Sequence, residues 1–287
     1  MRRSRRRASA ITATFARCDR PPPLRPGHLG QVAAALPLQR SRPDAPAKVA
    51  LVPGPSAEAE PFAVPRPAFL FDLDGTLVDS VYQHVTAWQE ALGACGIPLS
   101  VWRIHRRIGM SGGLFLNALQ RETGRTLDPE TLAKLSRLHR EFYLERVGSV
   151  VPLPGARQLL ATLSAHEVPF AVATSGGDNV ASAGVALLGL APGVPIVTRD
   201  QVKRAKPDPD LFLAAAERLG VAPARSFVVG DSVWDLLAAQ RAGALGIGLL
   251  SGGYGPEELQ AAGAYRVYND PADLLAHLEE VGVRPAS

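Results

Sequence analysis

Cysteine is almost absent from this chain: two residues, Cys18 and Cys95, in 287. That excludes a disulfide framework and any cysteine-based metal spacing, and it fits a reducing, cytoplasmic setting. Cys95, inside a helical pattern, is expected as a small core residue. Long apolar runs are also missing. None approaches the ~18 consecutive residues of a membrane-spanning helix, so no membrane span is expected. Acids are scarce where bases crowd: residues 1–66 hold eleven Arg and one Lys against four acids, a net of +8. The chain's 31 basic and 27 acidic residues therefore leave 19 and 23 in 67–287, a net of −4. The basic pI near 9.3 belongs to the N-terminal segment, and no nucleic-acid partner is implied for the remainder.

Segment 1–66 is Arg- and Pro-rich, with Arg2, Arg3, Arg5, Arg6, Arg7 and Pro21-Pro-Pro23, few aromatics and no sustained period. Such composition predicts disorder. A targeting peptide, a membrane-surface arm, a nucleic-acid arm and a dispensable extension all fit it.

From 67 onward, short apolar runs at 68–72, 168–174, 194–198, 226–230 and 245–250 alternate with helical patterns near 155–166, 178–189, 208–219 and 233–243. This alternation predicts an α/β fold with a parallel sheet and right-handed crossovers. One interval, 82–149, has helical periodicity alone, as in Leu132, Leu135, Leu138, Phe142 and Leu144. Asp128-Pro129 is a start signal, an N-cap acid followed by proline at the first helical position.

Chemistry-bearing residues stand at the strand ends, where open α/β sheets bind ligands. Phe69-Leu-Phe-Asp-Leu-Asp-Gly-Thr-Leu-Val-Asp-Ser80 is an apolar run ending in Asp72 and Asp74. Alternation along an extended chain points both acids to one side. Held close, they need a cation or a proton between them; an aspartate-rich turn capping the next helix is the other reading. Phe170-Ala-Val-Ala-Thr-Ser-Gly-Gly177 ends in Thr174 and Ser175, either anion donors or an ordinary helix cap at Ser175 or Asp178. Lys206-Pro-Asp-Pro-Asp210 holds a lysine in a stiff turn before a helix. Phe227-Val-Val-Gly-Asp-Ser-Val-Trp-Asp235 places Asp231 after a buried strand and Asp235 four residues on. Two or three such carboxylates suffice for Mg²⁺, which keeps several waters.

Together these strings resemble the four motifs of the haloacid dehalogenase (HAD) superfamily, over about 67–287. The resemblance implies a Rossmann-like parallel sheet core (67–81 and 150–287) with an inserted all-helical cap (82–149). It resembles the helical-cap subclass that includes phosphoglycolate phosphatase and β-phosphoglucomutase. The activity implied is phosphoric monoester hydrolysis through an aspartyl-phosphate. Asp72 would be the nucleophile and Asp74 the acid/base, with Thr174 and Lys206 stabilising the phosphoryl group. Asp72, Asp74, Asp231 and Asp235 would form the Mg²⁺ site. The expected substrate is a small phosphorylated metabolite, and the expected state a monomer or weak dimer.

Backbone near Gly75 and Ser175, together with His84, Arg107 and Ser111, are the candidate substrate contacts. His84 lies twelve residues after Asp72, where the mutase also has a histidine. Many phosphatases of the subclass share it, so a sugar phosphomutase is the alternative. The arginine that the mutase usually carries in its Gly-x-Ser-Arg segment is replaced here by Gly112, after Gly109-Met-Ser111.

Overall fold

Ala68-Phe-Leu-Phe71 is apolar at every position, the pattern of a strand covered on both faces, and the strand it forms, β1 (Ala68–Phe71), is buried throughout. The computed structural model describes residues 67–284. The expectations for segment 1–66, Cys18 included, lie outside the described residues. After β1 come β2 (Val78–Asp79) and four helices, α1 (Val81–Ala94), α2 (Val101–His105), α3 (Gly112–Thr123) and α4 (Pro129–Arg146). The chain continues through β3 (Val151–Pro152), α5 (Ala156–Ala165), β4 (Phe170–Ala173), α6 (Asp178–Ala186) and β5 (Ile196–Val197). Next are α7 (Asp210–Leu219), β6 (Ser226–Gly230), α8 (Val233–Ala242) and β7 (Leu245–Leu249). The last elements are α9 (Pro256–Ala261), β8 (Ala264–Tyr268) and α10 (Pro271–Ala276).

Six strands form one sheet in the order β5-β4-β1-β6-β7-β8, every neighbouring pair parallel. Alternation along β1 divides the core into two layers. Phe69 and Phe71 pack with Leu159, Leu160 and Leu163 of α5 and Leu274 of α10. Leu70 packs on the opposite face with Leu211 and Phe212 of α7 and Ala238 and Ala239 of α8. In register, Phe71 pairs with both Val172 of β4 and Val229 of β6. The carboxyl ends of these three strands therefore lie side by side.

Between β2 and β3 the chain builds a second apolar core. Val85, Trp88 and Leu92 of α1 pack with Phe115 and Leu119 of α3 and with Leu135 of α4. Cys95 is half-buried against this cluster. Asp128 caps α4 as its spelling predicts, accepting from Thr131 N at 2.8 Å, with Pro129 in the first turn. One member of the expected α4 stripe is corrected: Leu144 is 37% exposed, and Tyr143 beside it is fully buried. Leu144 follows Phe142 by two residues, which in an α-helix turns it about 200° to the opposite side, whereas Tyr143 falls four residues after His139 and eight after the buried Leu135. The insert leaves and rejoins the sheet through an antiparallel pair, Val78 with Pro152 and Asp79 with Val151. Among the described residues, no helix is long and apolar enough to cross a membrane.

Candidate active site

Extension of the β1 ladder places the first acid: Asp72 N donates to Val229 O at 2.8 Å. Its carboxylate is ion-paired with Lys206 Nζ, and the same ammonium lies 2.8 Å from Asp235 Oδ1. Lys206 is completely buried, so its charge stays fixed between the two carboxylates and is not hydrated. Asp235 is in the first turn of α8, and its other oxygen accepts from Ser232 N (3.1 Å) and Ser232 Oγ (2.5 Å). Asp231, just past β6, accepts from Thr76 Oγ1 at 3.0 Å. Oxygens of Asp72, Asp231 and Asp235 all lie within 4.8 Å of one another.

Three buried carboxylates facing one ammonium leave two uncompensated negative charges. Burial pushes the Asp72 carboxyl up to about 8; Asp235 and Asp74 add to the push, and the Lys206 ammonium opposes it. Burial and the charges of Asp235 and Asp72 likewise hold Asp231 well above the carboxylate range. Burial alone would lower Lys206, but Asp235 and Asp72 outweigh it and its pKa is raised. A divalent cation would balance this charge set, and an all-oxygen donor set suits a hard ion. The residues fit such a metal.

Asp74 is held differently. Its Oδ1 accepts from Ser80 Oγ at 2.6 Å and faces His84 Nε2 at 3.2 Å; its Oδ2 accepts from Thr174 Oγ1 at 3.3 Å. Burial pushes Asp74 up, but the His84 charge, hydrogen bonds from His84 and Ser80, and Lys206 prevail and hold it at about 2. Thr174 follows β4, where its Oγ1 also accepts from Gly176 N at 2.9 Å. Asp72, Asp74, His84, Thr174 and Ser175 line one cavity of about 590 Å³ between the sheet and the helical insert, a size suited to a small organic ligand.

The remaining sequence-derived candidates have mixed placements. Ser175 lines the cavity with its hydroxyl donating to Gly109 O at 3.1 Å. Arg107 also lines it, but its guanidinium is ion-paired with Glu122 and donates to Arg103 O. Two placements depart from the expectation. Gly75, at φ +82°, lies off the cavity, and its N–H donates to Val78 O at 2.8 Å within the tight turn. Ser111 caps α3, accepting from Leu114 N at 3.4 Å, while its own N–H donates to Lys206 O at 3.1 Å. Turn closure and helix capping take up the groups that were expected to face a ligand.

Several site residues were not singled out from the sequence. Thr76 and Ser80 belong to the string around Asp72, and their hydroxyls were a usable signal. His139 was not: it reaches the cavity from α4, with Nε2 3.2 Å from His84 Nδ1 and its ring stacked on Trp88 at 4.1 Å. Burial and the His84 charge hold His139 well below the usual histidine value.

A family model of haloacid dehalogenase-like hydrolases matches residues 67–243, the stretch that carries all four acids, Thr174 and Lys206. The chain belongs to this family. The chain is similar to hexitol phosphatase A of Escherichia coli, 35% identical over 176 residues, 61% of this chain and 79% of that protein. Phosphoglycolate phosphatase of Rhodospirillum rubrum is 32% identical over 214 residues, 72% of this chain and 88% of that protein. The crystal structure of a hydrolase from Pseudomonas syringae is 52% identical, covers 76% of this chain and 100% of that chain, and superposes with a TM-score of 0.74.

Proposed function

We propose that the protein is a Mg²⁺-dependent phosphatase that hydrolyses a small phosphate monoester through an aspartyl-phosphate on Asp72. One observation carries this reading: Lys206 Nζ bridges Asp72 and Asp235, and Asp72 lines a cavity that Asp74 and Thr174 also line. The names of the relatives, which act on hexitol phosphates and phosphoglycolate, support the same substrate class. The helices of 82–149 serve as a cap that closes over the substrate and excludes water. Low cysteine content supports a cytoplasmic location, and a monomer or weak dimer belongs to the same proposal.

Asp72 attacks phosphorus in line, a bond forms from its carboxylate oxygen, and the ester oxygen departs. Asp74 delivers the proton to that oxygen. His84 Nε2, 3.2 Å from the Asp74 carboxylate, orients it for this transfer. Asp74 then takes a proton from water as the water oxygen attacks phosphorus, the Asp72–phosphorus bond breaks, and phosphate leaves. Thr174 and Lys206 stabilise charge on the phosphoryl oxygens. Asp72, Asp231 and the backbone carbonyl of Asp74 would hold Mg²⁺, with Asp235 acting through water or through Lys206; when bound, the ion neutralises the phosphoryl oxygens.

Sugar phosphomutase chemistry is the less supported alternative, since Gly112 offers no side chain for a distal phosphate and Arg107 is paired with Glu122. A panel of phosphorylated metabolites assayed with Mg²⁺ and with chelator tests the reading. Metal-dependent phosphate release that disappears in Asp72→Asn is expected. Isomer formation without phosphate release would make the protein a mutase, and no turnover of any phosphate ester would overturn the assignment.

A further inference from the structure

The loop after β7 is in contact with two regions at once. Toward the sheet, Ser251 Oγ donates to Gly75 O at 2.6 Å. Gly252 lies so close to Asp231 that a Cβ there would land on the carboxylate. Toward the helical insert, Gly252 O is 2.8 Å from His105 Nε2, and Tyr254 OH donates to Arg106 O at 2.9 Å. The Arg106 guanidinium lies 4.0 Å over the Tyr254 ring and is ion-paired with Glu258 in α9. None of these groups lines the substrate cavity.

We infer that Arg106 and Tyr254 are positioning residues that couple closure of the helical cap to the placement of Asp231, with Gly252 as the transmitting contact. This rests on the proposed function for the role of Asp231. An Arg–Glu pair at the surface contributes little by itself. Here it is joined by a cation–π contact and by a hydroxyl bonded to main chain. The Tyr254 ring is buried with Leu236 of α8 and Leu259 of α9, so the loop is anchored on the helix that starts two residues after Asp231. Lifting α2 away removes the His105, Arg106 and Tyr254 contacts together. The loop then loses the side that presses Gly252 against the carboxylate, and Asp231 gains freedom. Linkage is reciprocal: a ligand that fixes Asp231 favours the closed cap by the same factor.

The test is calorimetric titration of the full-length protein with Mg²⁺, alone and with inorganic phosphate, alongside hydrogen exchange over 250–255. Arg106→Ala and Tyr254→Phe are expected to weaken Mg²⁺ binding by about 5-fold or more, the lower bound of typical allosteric couplings, and to speed exchange in the loop. Arg106→Lys keeps the charge over the ring and is expected to recover part of the affinity. Should Arg106→Ala fail to fold, Tyr254→Phe, which removes one oxygen atom, carries the test. Wild-type protein that binds no Mg²⁺ and releases no phosphate overturns the functional reading itself. Wild type that does both, while Arg106→Ala and Tyr254→Phe match its Mg²⁺ affinity and exchange rates, overturns the coupling alone.

Discussion

His84 Nε2 lies 3.2 Å from Asp74 Oδ1, so an acid on the sheet is held by a residue of the first inserted helix. The imidazole is fixed on its other side as well, by His139 at 3.2 Å and by the Tyr143 ring stacked at 3.9 Å. The insert therefore supplies the strongest of the groups that lower the Asp74 carboxyl against its burial.

Removing His84 leaves burial as the dominant influence on Asp74, whose carboxyl then rises from about 2. In the wild type, stability from Asp74 is present above its ordinary value of 3.8 and is lost as pH falls through about 2. In His84→Ala the gap between the folded and unfolded values narrows, so this contribution is smaller at neutral pH and there is less of it to lose toward acid. Urea unfolding between pH 3 and 6 should show the variant losing stability less steeply toward acid than the wild type, because its folded Asp74 takes up protons more nearly as the unfolded chain does. Its turnover should fall about 10²-fold, the scale of a disturbed general acid/base, since Asp74 loses the group that orients it.

Asp72 has the opposite sign. With its folded value raised to about 8 from 3.8, it favours the metal-free fold at low pH, and that contribution is lost as pH rises through about 8. Asp231, also raised, acts in the same direction. Bound Mg²⁺ requires both carboxylates ionised and displaces their protons. The gain in Tm on adding Mg²⁺ should therefore grow from pH 5 to pH 8, measured against a chelator control. A gain that does not change with pH would contradict the charge balance described for this site.

Among the described residues, Lys206 is the one cation paired with both Asp72 and Asp235. Truncation in Lys206→Ala strands two buried carboxylates, and breaking a buried pair in this way costs about 3–5 kcal/mol. Denaturant unfolding should show a loss of that size at pH 9, reduced at pH 6, where the raised Asp72 carboxyl is protonated. Phosphate release should also be lost.

Leu135 is fully buried between the inserted helices. Leu135→Ala should cost about 2–5 kcal/mol through lost transfer energy and the residual cavity. Because the sheet has its own two apolar layers, protection in hydrogen exchange should fall first in α1, α3 and α4 and persist in β1, β4 and β6.

Legibility in the sequence followed burial. β1, β4, β6 and β7 are covered on both faces, so they appear as apolar runs, and the loops at their ends carry Asp72, Thr174 and Asp231. β8 was not foreseen: it is an edge strand with Tyr265 47% exposed and Arg266 beside it, so it has no such run. The β2–β3 pair has two residues in each strand, too short for any period. His139, and the contacts of Arg106 with Tyr254, depend on packing between segments 55 or more residues apart. No local pattern marks such a meeting. Ser111 and Gly75 were noticed for their chemistry, but their polar groups satisfy a helix end and a turn.

The pairing of β2 with β3 places the outgoing and returning chain side by side. The sheet therefore meets the insert as a single closed loop, and closure entropy varies only slowly with what that loop contains. Sheet and insert can diverge independently: the groups proposed for phosphoryl transfer sit at the ends of sheet strands, and an exchange of everything between Asp79 and Val151 would leave most of them in place. A chimera cut at that pair is the natural unit for transplanting selectivity between relatives, provided His84, Arg106 and their contacts travel with it.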